Sequence, residues 1–270
     1  MKIIIVMENT SNGTCLCEHG FCVYIETEKH KLLVDTGASE KTWENAKKLG
    51  IDLSQIDTVI LSHGHYDHAG GILSFCEQNS QARIYLHEKA GEDYYSLREE
   101  GFTYIGIDKR ILQLPNLVFV HNDTDLDEEI SIFTHVTERE KWPTSNLRIR
   151  KLEHGEYIQD PFEHEQYVII HQNNKDILIS GCAHNGIVNI MNHYKKMYHS
   201  YPDIAISGFH MKQKTPFSLE EKQIIQSIGQ ELLKTGTLFY TGHCTGQEAF
   251  ILLKEILKDK LIALHAGDIL

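Results

Sequence analysis

Five short apolar runs in this chain each break off into a cluster of small and metal-binding residues. They are KLLV before Asp35, TVIL before SHGHYDH, DILIS before GCAH, DIAIS before GFH, and TLFY before TGHC. Runs this short, without polar alternation, read as strands buried on both faces. Helical stretches separate them, so the chain is expected to stack in layers. In layered αβ folds, ligand sites assemble where strands end at their carboxyl edge, because loops converge there on a rigid sheet. The five clusters are therefore expected to meet.

The pattern predicts strands at Lys2–Met7, Phe21–Glu26, Lys31–Val34, Asp57–Leu61, Arg83–His87, Leu117–His121, Ile130–Phe133, Gln166–His171, Asp176–Ser180, Asp203–Ser207, Leu238–Thr241 and Leu261–Leu264. It predicts helices at Glu40–Leu49, Gly71–Gln78, Asn189–Tyr198, Leu219–Lys234 and Glu248–Leu257, with Gly50 and Gly236 as stops. No linker or repeat divides residues 1–270, which read as one domain. The charged, aromatic segment Glu88–Arg110 reads as an irregular excursion and a substrate-facing lid. Its Tyr94, Tyr95, Tyr104 and Arg110 form either an apolar wall with one cation or a solvated surface.

Charge and apolar content narrow the function classes. With 26 basic against 38 acidic side chains, the chain carries a formal charge of −12. It has no basic cluster of the kind that binds a phosphate backbone, so nucleic acid is an unlikely partner. The apolar runs fall far short of the roughly 18 residues of a membrane-spanning helix, and MKIIIVMENT lacks the features of a secretion signal. Six cysteines in such a chain are expected to be reduced thiols in the cytoplasm.

The 17 histidines carry the chemistry. In His63-Gly64-His65-Tyr66-Asp67-His68, the first two imidazoles point to one side of an extended loop, and Asp67 and His68 follow in a turn able to face a second ion. Imidazole with carboxylate favours zinc, iron, nickel or manganese over calcium or magnesium. His184 and His243 each follow a buried strand and a glycine, and are read as further ligands. His210 is read as a ligand or as a histidine contacting substrate. Cys182 is a thiolate ligand or a buried inert cysteine. Cys244 reads as packing, and Asp35 as a carboxylate orienting a ligand histidine. Whether His19, His87, His164 and His265 face the site is left open. His30, His154, His193 and His199 lie in surface contexts and receive no role.

These residues carry a family resemblance. HxHxDH at 63–68 is the hallmark of the metallo-β-lactamase superfamily. CEHGF at 17–21, LLVDTG at 32–37, NAKKLGIDLSQID at 45–57, SHGHYDHAGG at 62–71, SGCAHNGIVNI at 180–190, SGFHM at 207–211 and GHCTG at 242–246 resemble one branch of it. That branch contains dihydropterin–ribofuranosylaminobenzene phosphate synthases and uncharacterised bacterial hydrolases.

The resemblance implies an αβ/βα sandwich of two mixed sheets flanked by helices, with a metal site at one edge. It implies His63, His65 and His184 around one divalent ion, zinc first among the candidates, and Asp67, His68 and His243 around another. The superfamily's bridging aspartate is replaced by Cys182, so either Cys182 or a neighbour substitutes or the second site is weakened. The expected activity is hydrolysis of a small-molecule ester, thioester, lactam or phosphoester, with Asp67 handling the nucleophile and His210 donating to the oxyanion or leaving group. Group transfer on a phosphoribosyl substrate and a non-catalytic metal-binding module are the alternatives. The substrate is expected to be a small, anionic molecule.

Overall fold

The structure, a computed structural model, describes residues 1–270. In chain order the strands are β1 (Lys2–Met7), β2 (Cys22–Glu26), β3 (Lys31–Val34), β4 (Thr58–Ile60), β5 (Arg83–His87), β6 (Tyr94–Arg98), β7 (Gly101–Tyr104), β8 (Leu117–Val120), β9 (Thr124–Asp125), β10 (Ile130–Phe133), β11 (Ile149–Glu153), β12 (Glu156–Gln159), β13 (Tyr167–Gln172), β14 (Lys175–Ser180), β15 (Ile204–Ser207), β16 (Leu238–Thr241) and β17 (Leu261–Ala263). The helices are α1 (Lys41–Lys48), α2 (Tyr66–Ala69), α3 (Ile72–Gln78), α4 (Ile187–Tyr198), α5 (Leu219–Thr235) and α6 (Gln247–Leu257).

Two large sheets form, ordered β1-β2-β3-β4-β5-β8 and β17-β16-β15-β14-β13-β10-β9. Both are mixed: β3, β4, β5 and β8 run parallel in the first, and β14 to β17 in the second, with antiparallel strands completing each.

Alternation along each strand builds the layers. Ile3 and Ile5 of β1 face the second sheet, where they join Val168, Ile170, Ile177 and Ile179 in a core between the sheets. Ile4 and Val6 point the other way, onto Trp43 and Ala46 of α1 and Ile72 and Phe75 of α3. Ile169 and Leu178 of the second sheet likewise turn outward, onto α4, α5 and α6. Both faces of each sheet are covered, which is why its central strands read as unbroken apolar runs. The result is the αβ/βα sandwich that the sequence implied.

One region differs from its sequence reading. Within Glu88–Arg110 the chain is not irregular: β6 and β7 form a hairpin that pairs with β11 in a separate sheet ordered β12-β11-β6-β7. Tyr95 and Tyr104 stand opposite each other across that hairpin, with ring centroids 5.4 Å apart. Polar and aromatic residues at 2-residue period on a small sheet with one open face gave no continuous apolar run to find.

Ile179 is fully buried between the two large sheets. Ile179→Ala should lower the unfolding free energy by about 2–5 kcal/mol, since removal of a buried aliphatic group leaves a cavity. Urea unfolding monitored by circular dichroism measures it.

Candidate metal centre

The strand ends named above meet at one edge of the sandwich, together with the end of β1. The turns that carry the side chains are sharp. Asp35 after β3, Ala183 after β14, His210 after β15 and His243 after β16 all have left-handed backbones, with φ of 62°, 52°, 46° and 51°. Non-glycine residues in that region cost of order 1–3 kcal/mol each and persist where surrounding structure fixes them. Close approach also selects glycine: a Cβ on Gly181 would lie 2.1 Å from Ser62 Oγ, and one on Gly64 would lie 2.4 Å from the Ala90 carbonyl oxygen.

His63, His65 and His184 stand edge to face, with ring centroids 4.6 Å apart for His63–His65 and 4.9 Å for each pair with His184. The Nε2 atom of each is buried and has no hydrogen-bond partner. Burial, reinforced by neighbouring imidazoles, lowers all three pKa values, His65 to about 3, so the rings are neutral.

Beside them lies a second group. His68 Nε2 is 3.2 Å from His243 Nε2 and 3.3 Å from Cys182 Sγ, and Asp67 Oδ2 is 3.3 Å from His243 Nε2. Ligand atoms of His63, Cys182 and His184 all lie within 4.8 Å of one another, as do those of His68, Cys182 and His243. Cys182 is thus common to both groups. Burial holds its thiol pKa high.

The far nitrogens of these rings are held from behind, which aims Nε2 inward. His63 Nδ1 meets Ser62 Oγ at 2.8 Å, His68 Nδ1 meets Asp35 Oδ2 at 2.6 Å, His184 Nδ1 meets Asn146 Oδ1 at 3.0 Å and His243 Nδ1 meets Asn9 Oδ1 at 2.9 Å. Glu165 accepts from the backbone amides of His184 and Asn185 at 2.6 and 2.9 Å, fixing that loop. Burial alone would lower the pKa of His68, but the Asp35 and Asp67 carboxylates override it and raise it to about 9. Burial would likewise raise Asp67, yet the imidazoles of His68 and His243 hold its carboxyl far below the usual range.

Among the histidines left open, His19 faces the site: it stacks on His243 at 4.9 Å and its Nε2 lies 3.3 Å from Asp67 Oδ2. His164 supports the loop instead. Its Nδ1 accepts from the Gly64 amide and its Nε2 pairs with Asp160, so neither nitrogen is free. His87 is buried but lies outside the cavity, and His265 pairs with Asp268 at the surface. His210 joins neither ligand group. Its ring packs 4.0 Å from that of His184 and lines the cavity, and Nδ1 is 2.8 Å from Ser145 Oγ.

The cavity in front of both groups has a volume of about 430 Å³. Tyr94, named as part of a wall, is buried beneath His164 and His65, and Arg110 is exposed on Asp108, so neither lines the cavity. Sequence reasoning missed Asn9, Ser145, Asn146 and Glu165, and also Glu8, whose carboxylate accepts from the His243 backbone amide. Each acts on a partner distant in the chain, and no local pattern marks it.

Comparison with known proteins finds relatives that match over nearly the whole chain. The model of the metallo-beta-lactamase superfamily matches residues 16–144. A 7,8-dihydropterin-6-methyl-4-(beta-D-ribofuranosyl)-aminobenzene-5'-phosphate synthase from Methanocaldococcus jannaschii is 30% identical over 96% of this chain and 92% of its own length. The uncharacterized protein MJ0448 of the same organism is 26% identical over 99% of both chains. The crystal structure of Tm1679, described as a metal-dependent hydrolase of the beta-lactamase superfamily, superimposes with a TM-score of 0.85 at 30% identity, covering 100% of this chain and 98% of that one.

The Asp35–His68 pair has a pH signature in chelator-treated protein. A histidine whose pKa rises from 6.5 to about 9 on folding contributes stability that is full below 6.5 and lost as pH climbs through 9. Urea unfolding between pH 6 and 9.5 should show that decline in the wild type and a flatter profile in Asp35→Asn.

Proposed function

The chain belongs to the metallo-beta-lactamase superfamily, and from that premise we propose that it is a metal-dependent hydrolase of a small-molecule ester, thioester, lactam or phosphoester. The observation that carries the reading is the set of three buried, neutral, unpartnered Nε2 atoms of His63, His65 and His184. Buried polar atoms without partners are costly, and three of them on facing rings fit a cation with imidazole affinity. We assign His63, His65 and His184 to one divalent ion, zinc in the first instance. Asp67, His68 and His243 would hold a second, and Cys182 is placed to serve both. A bound divalent ion supplies Lewis acidity and shifts the pKa of a water from ~15.7 towards ~7.

The chain's own groups do the rest. Asp67, ionised under the influence of His68 and His243, orients the nucleophile at the cavity floor. Ser145 Oγ donates its single proton to the His210 carbonyl, so His210 must donate from Nδ1 to that hydroxyl. Its Nε2 is then an acceptor. Burial first of all lowers its pKa to about 3, so the ring is neutral and only weakly basic. The small sheet flanks the cavity through Ser96 and Arg98 of β6 and Ile149 of β11. Six free cysteines suit a reducing compartment, and we place the protein in the cytoplasm.

Group transfer is the second reading, favoured by the synthase relative that matches nearly the whole chain. Product analysis of turnover with and without an acceptor amine separates the two. A third reading, a metal-binding module without turnover, predicts no reaction of phosphodiesters, thioesters or lactams above that of the free metal.

Chelation should abolish activity and zinc should restore it. Asp67→Asn should lower kcat by about 10²–10⁴-fold while KM changes far less. Steady-state kinetics with metal content measured on the same samples test this, and an undiminished kcat would remove Asp67 from its role.

A further inference from the structure

The wall of the cavity is electrically opposite to the chain. Four cations line it, Arg98, Arg148, Lys212 and Lys214, against the single carboxylate of Asp67. They come from distant segments: Arg98 ends β6, Arg148 closes the short helical turn Thr144–Arg148, and the two lysines follow β15. Of the four, only Lys214 has a carboxylate within ion-pair range, Glu99 at 3.8 Å, and that pair is exposed. Many cations elsewhere in this −12 chain are matched to acids, among them Lys41, Lys89, Lys109, Lys151 and Lys222.

Two of the four are anchored to the site itself. Arg148 Nε and Nη2 reach the carbonyls of Ser145 and Lys212 at 3.3 and 3.4 Å, and Ser145 also holds His210. The amide of Lys212 donates to the carbonyl of Cys244 at 2.9 Å, which ties it to the loop bearing His243. The left-handed Gly246 permits this approach, because a Cβ there would lie 3.1 Å from Lys212 Cα. Bonds to carbonyls leave the positive charge of Arg148 uncompensated, and a guanidinium so placed is suited to planar recognition of oxyanions.

We propose that Arg148 and Lys212, with Arg98 and Lys214 outside them, form an oxyanion subsite that holds a phosphate-type group of the substrate while the reacting bond lies over the histidine cluster. The proposal rests on the hydrolase reading for what happens at the cluster, but the binding function of the subsite stands on the cavity wall alone. It names the substrate class as a small phosphorylated molecule whose anionic group is distinct from the centre that reacts.

The test uses metal-loaded protein and phenyl phosphate as the probe, titrated calorimetrically beside uncharged phenyl acetate. Removing one charged hydrogen-bonding partner should weaken phenyl phosphate about tenfold or more in Arg148→Gln and in Lys212→Gln. The double variant should lose at least as much, Arg148→Lys should recover part of the affinity, and phenyl acetate should respond little. Metal content by elemental analysis and melting temperature establish that each variant is folded and loaded. Phenyl phosphate affinity that stays within twofold in both single variants would mean that the anion contacts only the metals, and would overturn the subsite. Absence of phenyl phosphate binding to the wild type would overturn it too. Failure of the hydrolase reading shows separately, as no ester turnover above free metal with phenyl phosphate binding still dependent on Arg148.

Discussion

The buried carboxylate of Asp35 is the tie on which the rest of the centre depends. It sits at the end of β3, fully buried, and accepts from the Ser62 amide and hydroxyl, each at 2.7 Å, and from His68 Nδ1. The Ser62 hydroxyl in turn meets His63 Nδ1. One carboxylate therefore fixes a ring in each of the two ligand groups, and it also bonds the strand-end turn of β3 to that of β4. A buried charge is tolerable only when hydrogen bonds surround it, and Asp35 has three. The space around it is tight enough that Gly181, from the other sheet, must lack a side chain. The Ser62 carbonyl also accepts from the Gln166 amide at 2.8 Å, so the turn that orients the site joins the two sheets at their shared edge.

From that tie the two halves of the centre take different electrostatic characters. His63, His65 and His184 make no ion pair with a carboxylate, so burial wins and the rings are neutral. His68 has Asp35 on one nitrogen and Asp67 near the other, and there attraction outweighs burial. Identical side chains, one turn apart in HGHYDH, are thus tuned in opposite directions by what lies behind them. Cys182 lies between the halves and reaches both.

How much of this could be read from the chain follows from where the determining contacts lie. The sandwich was legible because both faces of each central strand are covered, which forces apolar runs that end abruptly. The positions of His63, His65, Asp67, His68, His184 and His243 were legible because those runs stop immediately before them. Asn9 and Asn146 were not, because they act on partners 234 and 38 residues away and carry no periodic signal. The cationic wall was hidden for the same reason: Arg98, Arg148 and Lys212 lie far apart in the chain and become a group only when their three segments meet at the cavity. The net charge of −12 points the other way, since a sum over the chain says nothing about how its charges are distributed.

The arrangement also fixes where the fold is strained. Left-handed backbones at Asp35, Ala183, His210 and His243, and unpartnered Nε2 atoms on His63, His65 and His184, concentrate unfavourable terms at one edge. Each orphaned buried nitrogen costs about 1–3 kcal/mol, and each strained residue a similar amount. The two sheets and their helices meet that cost through apolar burial on both faces of their central strands. Anything that satisfies those nitrogens in the folded chain and not in the unfolded one must shift the folding equilibrium by mass action. Stability and ligand binding are therefore coupled at this edge: the features that leave the centre unsatisfied in the folded protein are the ones that give a cation its advantage there.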